Sequence, residues 1–260
     1  MARSPVAVLG GTFDRLHVGH AALLATALTV GRTVAIGLTT PRYLRAHPKP
    51  AGRRIQSYAV RRRALARWLR RHAPADRWRI VPLDNPFGRS TEVGVDALVV
   101  SADTAAGGAA VNRERRRLGR PALRVVVVPL VLADDLRPVS SRRIRSGAIG
   151  PDGRRRSRLR LGAVVAPKDR AAVRRAARSA FPKLGLTFLD PAAAGRSGAR
   201  EAVRALRGRD LGLVVVAQRD GRWRVRLRGP EVALAPRPIA GNLARGVAAL
   251  LAPSRRRKGF

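Results

Sequence analysis

Gly10-Gly11-Thr12-Phe13-Asp14-Arg15-Leu16-His17-Val18-Gly19-His20 decides the reading of this chain, because it lies between a short apolar run at residues 6–9 and an apolar helical stretch at residues 20–30. A glycine pair directly after a strand lets the backbone approach a bound phosphate with no Cβ in the way. A helix that starts there presents unpaired N–H groups and a partial positive charge toward the same point. His17 and His20, three residues apart at the helix start, can both turn toward one anion, and Gly19 between them is expected to leave room for a nucleotide. An isolated H-x-G-H is as readily a pair of caps or surface residues. Here two of the chain's four histidines fall between a strand with its Gly-rich turn and a helix, which is the context such a motif requires.

Strand-like and helix-like segments alternate outward from this point. Residues 34–38, 79–83, 97–101 and 123–128 read as strands, and residues 57–71 and 109–118 as helices. The strands are short, Val-rich and apolar on both faces, the pattern of a parallel sheet covered by helices. The fold class expected for residues 1–150 is therefore α/β, a doubly wound parallel sheet of Rossmann-like type, with ligands at the carboxyl ends of the strands. Gly150-Pro151-Asp152-Gly153, followed by Arg154-Arg155-Arg156, marks residues 151–160 as a basic linker. A second, smaller α/β domain follows over residues 161–260. Its expected strands are 161–166, 186–189, 211–217 and 223–227, the last two joined by an Asp220-Gly221 hairpin turn. Its expected helices are 169–180, 199–206 and 241–251, and residues 255–258 form a basic tail.

Charge and composition narrow the partners. Lys and Arg number 54 against 16 Asp and Glu, a formal net charge of +38. Such a field attracts any polyanion, but the basic residues are spread along the whole chain, so only non-specific nucleic-acid binding is expected. Arg61-Arg62-Arg63 and Arg70-Arg71 read as the solvated face of a helix, since its aromatics, Tyr58 and Trp68, are not interleaved with glycines as on a stacking surface. With no Cys, thiolate chemistry and Cys-ligated zinc are excluded. The longest apolar stretch, residues 125–133, contains Pro129 and is far short of a membrane span. A soluble, cytoplasmic protein is expected; oligomeric state is not legible.

The first motif resembles the signature of the H-x-G-H nucleotidyltransferase superfamily. Val81-Pro82-Leu83-Asp84-Asn85-Pro86-Phe87-Gly88, Val99-Val100-Ser101-Ala102-Asp103-Thr104, Val111-Asn112-Arg113 and Pro129-Leu130-Val131-Leu132-Ala133-Asp134-Asp135 are similar, in order, to the archaeal-type phosphopantetheine adenylyltransferases. Val139-Ser140-Ser141-Arg142-Arg143-Ile144-Arg145 resembles that superfamily's second signature, I-S-S-T-x-I-R, with Arg142 in place of the usual Thr. The resemblance covers roughly residues 5–150. It implies transfer of the adenylyl group of ATP to 4′-phosphopantetheine, with Mg²⁺ carried by the ATP phosphates and no protein metal ligand. By position it places Gly10, Gly11, Thr12 and Phe13 at the junction of nucleotide and acceptor phosphate. His20 would contact the α- and β-phosphates, and His17 would help place the nucleotide. Ser140, Ser141 and Arg145 would hold the β- and γ-phosphates. Lys49 would grip the acceptor phosphate, with Arg42, Arg45 and Arg53 near enough to leave that assignment open. Asp14 is not assigned as a metal ligand, and Asp134 and Asp135 are expected to cap or orient the loop before the second motif.

Residues 160–260 carry a fainter similarity, in Gly198-Ala199-Arg200-Glu201 and Asp210-Leu211-Gly212-Leu213, to the inosine/xanthosine triphosphatase-like proteins. Ala166-Pro167-Lys168-Asp169 stands where that family opens with S/T-x-N-x-x-K, and residues 152–260 hold only seven acidic side chains. A domain of that descent would have lost hydrolase activity, and a packing or oligomerisation role is the default expectation for these residues. Two alternatives to the leading reading stay open: the same transfer chemistry on another phosphorylated acceptor, and a nucleic-acid-binding protein on a disused enzyme fold.

Overall fold

A computed structural model of the chain describes residues 4–49, 54–181, 183–189, 209–218, 220–229 and 235–252. The expected helix at 199–206 and the basic tail at 255–258 lie outside these residues. The chain divides into two compact units. One holds the residues up to Val131 together with Val139–Gly147; the other holds Leu132–Pro138 and the chain from Ala148 onward.

The first unit is built on five strands: β1 (Ser4–Gly11), β2 (Gly31–Thr39), β3 (Trp78–Leu83), β4 (Ala97–Ser101) and β5 (Arg124–Val128). They are all parallel, in the order β3-β2-β1-β4-β5. The expected doubly wound sheet is thus present, and the chain reverses its direction of winding beside β1. In sheets of this kind the crevice for a ligand opens at the carboxyl ends of the strands at that reversal. Gly10 and Gly11 end β1 there.

One face of the sheet carries α1 (Val18–Val30) and α3 (Tyr58–His72). Val18, Ala21, Leu24, Ala27 and Leu28 of α1 recur at helical spacing and are buried. Leu65, Trp68 and Leu69 do the same for α3, and join Leu9, Ile36 and Leu38 of the sheet in one core. Burying each of these large side chains contributes about 1.5–3 kcal/mol. Arg70, Arg71 and His72 in the last turn of α3 complement the negative end of its dipole. The opposite face packs Val111 of α4 (Ala105–Arg117) against Val8, Ala35, Leu98 and Val100. Two short helices were not foreseen as complete elements, α2 (Pro41–Ala46) and α5 (Ser141–Arg145). Each has a side-chain cap, Thr40 accepting from the Tyr43 amide and Ser140 from the Arg143 amide.

The second unit has a mixed sheet of β6 (Leu159–Val164), β7 (Leu184–Leu189), β8 (Leu211–Ala217), β9 (Trp223–Arg228) and β10 (Arg237–Ile239), ordered β10-β9-β8-β6-β7. β7, β6 and β8 run parallel; β9 and β10 are added antiparallel. Gly221 at φ 75° makes the expected hairpin turn between β8 and β9, and β10 is an unforeseen edge strand. α6 (Arg170–Ala180) and α7 (Leu243–Leu251) supply Val173, Ala177, Val247 and Leu250 to its core.

Two stretches behave differently from their sequence reading. Residues 151–160, expected as a linker, lie inside the second unit: Arg155 donates to Asp210 at 2.7 Å and to Asp135 at 3.4 Å. The loop at Leu132–Pro138 is oriented by its acids as expected, the Arg137 amide donating to Asp135 Oδ1 at 3.3 Å, but it belongs to the second unit, with Leu136 in that unit's core and the Arg155 amide donating to Asp134 at 3.0 Å.

Candidate active site

The turn that leaves β1 is tightly constrained. Phe13 and Arg15 both adopt left-handed backbone, at φ 48° and 49°, although neither is glycine. Each such residue costs on the order of 1–3 kcal/mol and persists only where its surroundings over-determine it. The surroundings here are explicit. The Arg15 amide donates to Gln56 Oε1 at 2.9 Å, and the Gln56 amide donates back to Asp14 Oδ1 at 2.9 Å. Arg61 Nη1 donates to the Thr12 carbonyl at 2.8 Å. A Cβ on Gly11 would stand 3.1 Å from the Phe13 ring, so the glycine lets that ring tuck under the turn.

His17 caps α1. Its Nδ1 accepts from the Gly19 and His20 amides at 3.2 and 3.4 Å, so the ring proton is assigned to Nε2. Burial pushes its pKa down to about 4 against the smaller upward pull of the Asp14 carboxylate, leaving a neutral ring. His20 stacks on it with centroids 3.7 Å apart. Its pKa is held well below the ordinary value by burial first, then by His17 and the Lys49 ammonium. His20 Nδ1 is buried and has no hydrogen-bond partner, so the site keeps one polar atom unspent. Gly19 does not make room for a nucleotide as expected. A Cβ there would sit 3.2 Å from two atoms of the His17 ring, so the space it leaves is taken by that ring.

A cleft of about 460 Å³ opens over the carboxyl ends of the strands. Gly10, Gly11, Thr12, Phe13, His20 and Lys49 all line it, whereas His17 lies behind His20 as cap and stacking partner. Lys49 Nζ donates to Thr12 Oγ1 at 2.8 Å, which singles it out from Arg42 and Arg45, both exposed on α2; Arg53 lies outside the described residues. Burial, then Arg145 and Arg61, lower the Lys49 pKa, and Asp14 opposes them. No Asp or Glu is among the lining residues, while Lys49 and Arg89 are. The cleft is therefore suited to anions.

The second motif meets the first through Asp14. Arg145 Nη1 donates to Asp14 Oδ2 at 2.6 Å, with the two side chains 6% and 1% exposed. Ser141 Oγ donates to the Asp14 carbonyl at 2.6 Å, and Ser140 caps α5. Ser140, Ser141 and Arg145 are thus brought to the turn, but they are not among the residues lining the cleft.

Sequence reasoning missed Gln56 and Arg61. Arg61 had been read with Arg62 and Arg63 as solvated; it is 1% exposed, while its two neighbours are exposed. The signal was present: Arg61 precedes Leu65, Trp68 and Leu69 by four, seven and eight residues, so it lies on the apolar stripe of α3.

This crevice, at the winding reversal of a parallel sheet and built from a Gly-rich turn and an H-x-G-H helix start, defines a nucleotidyltransferase-type domain. Residues 8–147 match the family described as cytidylyltransferase-like, and the chain belongs to that family. A phosphopantetheine adenylyltransferase from Methanopyrus kandleri is 41% identical over 146 residues, covering 56% of this chain and 91% of that protein. One from Pyrococcus horikoshii is 38% identical over 154 residues, covering 59% and 96%. A bifunctional phosphopantetheine adenylyltransferase/NTP phosphatase from Thermoplasma volcanium is 33% identical over 191 residues, covering 70% of this chain and 54% of that protein. No helix among the described residues is long and apolar enough to cross a membrane.

Proposed function

We propose that the first unit transfers the adenylyl group of ATP to 4′-phosphopantetheine, giving dephospho-coenzyme A and pyrophosphate. The observation that carries the reading is the convergence of Thr12, Lys49 and His20 on one carboxylate-free cleft at the end of β1. The names of the relatives from Methanopyrus kandleri and Pyrococcus horikoshii supply the acceptor.

The chemistry asks little of the protein. An oxygen of the acceptor phosphate attacks the α-phosphorus, the bond from that phosphorus to the bridging oxygen breaks, and pyrophosphate leaves with the electron pair. The nucleophile is already an anion, so alignment and charge neutralisation suffice. Gly10, Gly11 and the amide end of α1 lie against the phosphates, and Phe13 closes the floor of the turn. Lys49 and the Thr12 hydroxyl hold the acceptor phosphate. His20 presents its imidazole to the leaving phosphates, whose negative charge opposes the burial and cationic neighbours that keep it neutral. His17 orients His20 instead of touching nucleotide. Ser140, Ser141 and Arg145 serve the β- and γ-phosphates from the side of the turn.

Mg²⁺ enters as part of the substrate. Among the described residues no group of three or more His, Cys, Asp or Glu side chains could hold a metal ion, and both Asp14 oxygens are engaged. An ion borne by the triphosphate and water fits this donor set; a dedicated protein cage does not. For the second unit we infer a structural domain of NTP-phosphatase descent. Asp169, the buried acid after β6, accepts from Trp223 Nε1 at 3.2 Å.

Pyrophosphate release from MgATP with a panel of phosphorylated acceptors tests the reading. Turnover with 4′-phosphopantetheine is expected; turnover only with another acceptor would reassign the substrate. His20→Ala is expected to abolish turnover in a folded chain, by about 10³-fold or more.

A further inference from the structure

We propose that Arg61 is a positioning residue for this transfer: it clamps the strained turn that presents Thr12, and through the Thr12 hydroxyl holds Lys49, toward the phosphates. The inference rests on the adenylyl-transfer reading for its kinetic consequence only.

Arg61 is the largest fully buried side chain among the described residues, at 1% exposure. Burying a guanidinium in that position carries a desolvation cost that an apolar side chain on the stripe of α3 would avoid. All of its hydrogen bonds among the described residues go to three carbonyls and one hydroxyl. Nη1 takes the Thr12 carbonyl at 2.8 Å and the Thr39 hydroxyl at 3.4 Å. Nη2 takes the Thr39 carbonyl at 2.9 Å, and Nε takes the Gln56 carbonyl at 3.0 Å. These acceptors come from three segments, the turn after β1, the end of β2 and the loop before α3. Only a planar fork with donors on both edges reaches all three; a lysine would reach one or two.

What the fork holds matters more than how much it stabilises. Thr12 precedes Phe13 and Arg15, the two left-handed residues of the turn. The same Thr12 offers its carbonyl to Arg61 and its hydroxyl to Lys49. Gln56 likewise offers its carbonyl to Arg61 and its side chain to the Arg15 amide. Arg61 therefore reaches both ends of the strained turn; it is not among the residues lining the cleft at the end of β1, and it borders, with Lys49 and Gln56, a neighbouring cavity of about 450 Å³. A displacement of about 1 Å in a positioning group costs roughly 10²-fold in rate.

The test is amide hydrogen exchange and steady-state kinetics on full-length Arg61→Lys and Thr39→Val. Thr39→Val removes one contact, keeps the charge and guards against a lysine variant that fails to fold. Arg61→Lys is expected to speed exchange at residues 11–15 about tenfold or more, the loss of charge-assisted bonds, while β4 and α4 keep their protection. Its kcat is expected to fall about 100-fold with KM for ATP changed less than about threefold. Thr39→Val is expected to shift the same amides in the same direction by about threefold. Unchanged exchange in the turn of either folded variant overturns the proposal, as does acceleration spread evenly over the sheet, the mark of an ordinary core residue. Absence of turnover in the unsubstituted chain, with the turn still loosened by Arg61→Lys, overturns the adenylyl-transfer reading and supports the clamp.

Discussion

The Asp14 carboxylate and the Arg145 guanidinium form a buried ion pair of 2.6 Å that fastens the second sequence motif to the first across 131 residues of chain. Asp14 has no oxygen to spare for other work, since its second oxygen takes the Gln56 amide and its carbonyl takes the Ser141 hydroxyl. Truncating one member of a buried pair strands the other's charge, at a cost of about 3–5 kcal/mol, whereas removing both can be nearly neutral. Asp14→Asn is accordingly expected to destabilise the chain by about 3 kcal/mol, and Asp14→Asn with Arg145→Met by much less than the sum of the two singles. Denaturant unfolding of the four species measures this; additive losses would refute the coupling.

Acid stability should report His17. Its folded pKa of about 4 lies below the unfolded value of 6.5, so the unfolded chain binds the extra proton between those pH values. The stabilisation is complete above about pH 6.5 and drains away as the pH falls toward 4, at about 1.4 kcal/mol per pH unit in mid-window. His17→Asn retains a capping acceptor and does not titrate. Unfolding free energies between pH 7 and pH 4.5 are expected to fall less steeply for this variant than for the parent.

Gly19→Ala separates stability from activity. Alanine gains about 1 kcal/mol over glycine inside a helix. The new Cβ, 3.2 Å from the His17 ring, displaces the cap, a loss of about the same size. Thermal unfolding is therefore expected to change little. The His20 ring, stacked on His17, loses its backing, and kcat is expected to drop by about tenfold or more. A kcat equal to that of the parent would show that the stack does not orient His20.

Lys49→Ala removes a cation that acts on one substrate. The loss of a charge-assisted bond to phosphate, about 1.5–3 kcal/mol, predicts a fall of about 10–100-fold in kcat/KM for the acceptor. KM for ATP should move by much less. An equal effect on both substrates would reassign Lys49 to the triphosphate.

Most of the first unit's plan was legible because its signals are local and redundant. Five short apolar strands alternating with helices admit few arrangements, and the glycines at 10 and 11 mark where β1 ends. Gly10, Gly11, Thr12, Phe13 and His20 of the same stretch are among the residues that line the cleft. What escaped were side chains whose role depends on distant partners. Arg61 sits among arginines that face solvent, and only its register on α3 sets it apart. Gln56 is a lone polar residue before a helix cap, and nothing nearby announces its bonds to Asp14 and Arg15. Gly19 was assigned to the ligand when the neighbour that needs its space is His17. Arg155, read as part of a basic run between domains, is a half-buried counter-ion for Asp135 and Asp210, found only once the fold brings residues 55 positions apart together.

Leu136 fixes where this protein can be cut. Its side chain is 1% exposed in the core of the second unit, and a Cβ on Gly229 would stand 2.6 Å from it. A truncation after residue 150 would strip Leu136 of that core and leave Asp134 and Asp135 without Arg155, four to six residues upstream of Ser140. Such a fragment carries every cleft residue named above and is close in length to relatives that end near this point, yet it inherits a frayed apolar segment where a stand-alone domain needs a solvated one. Catalytic autonomy would have to be engineered back, beginning with a polar side chain at Leu136.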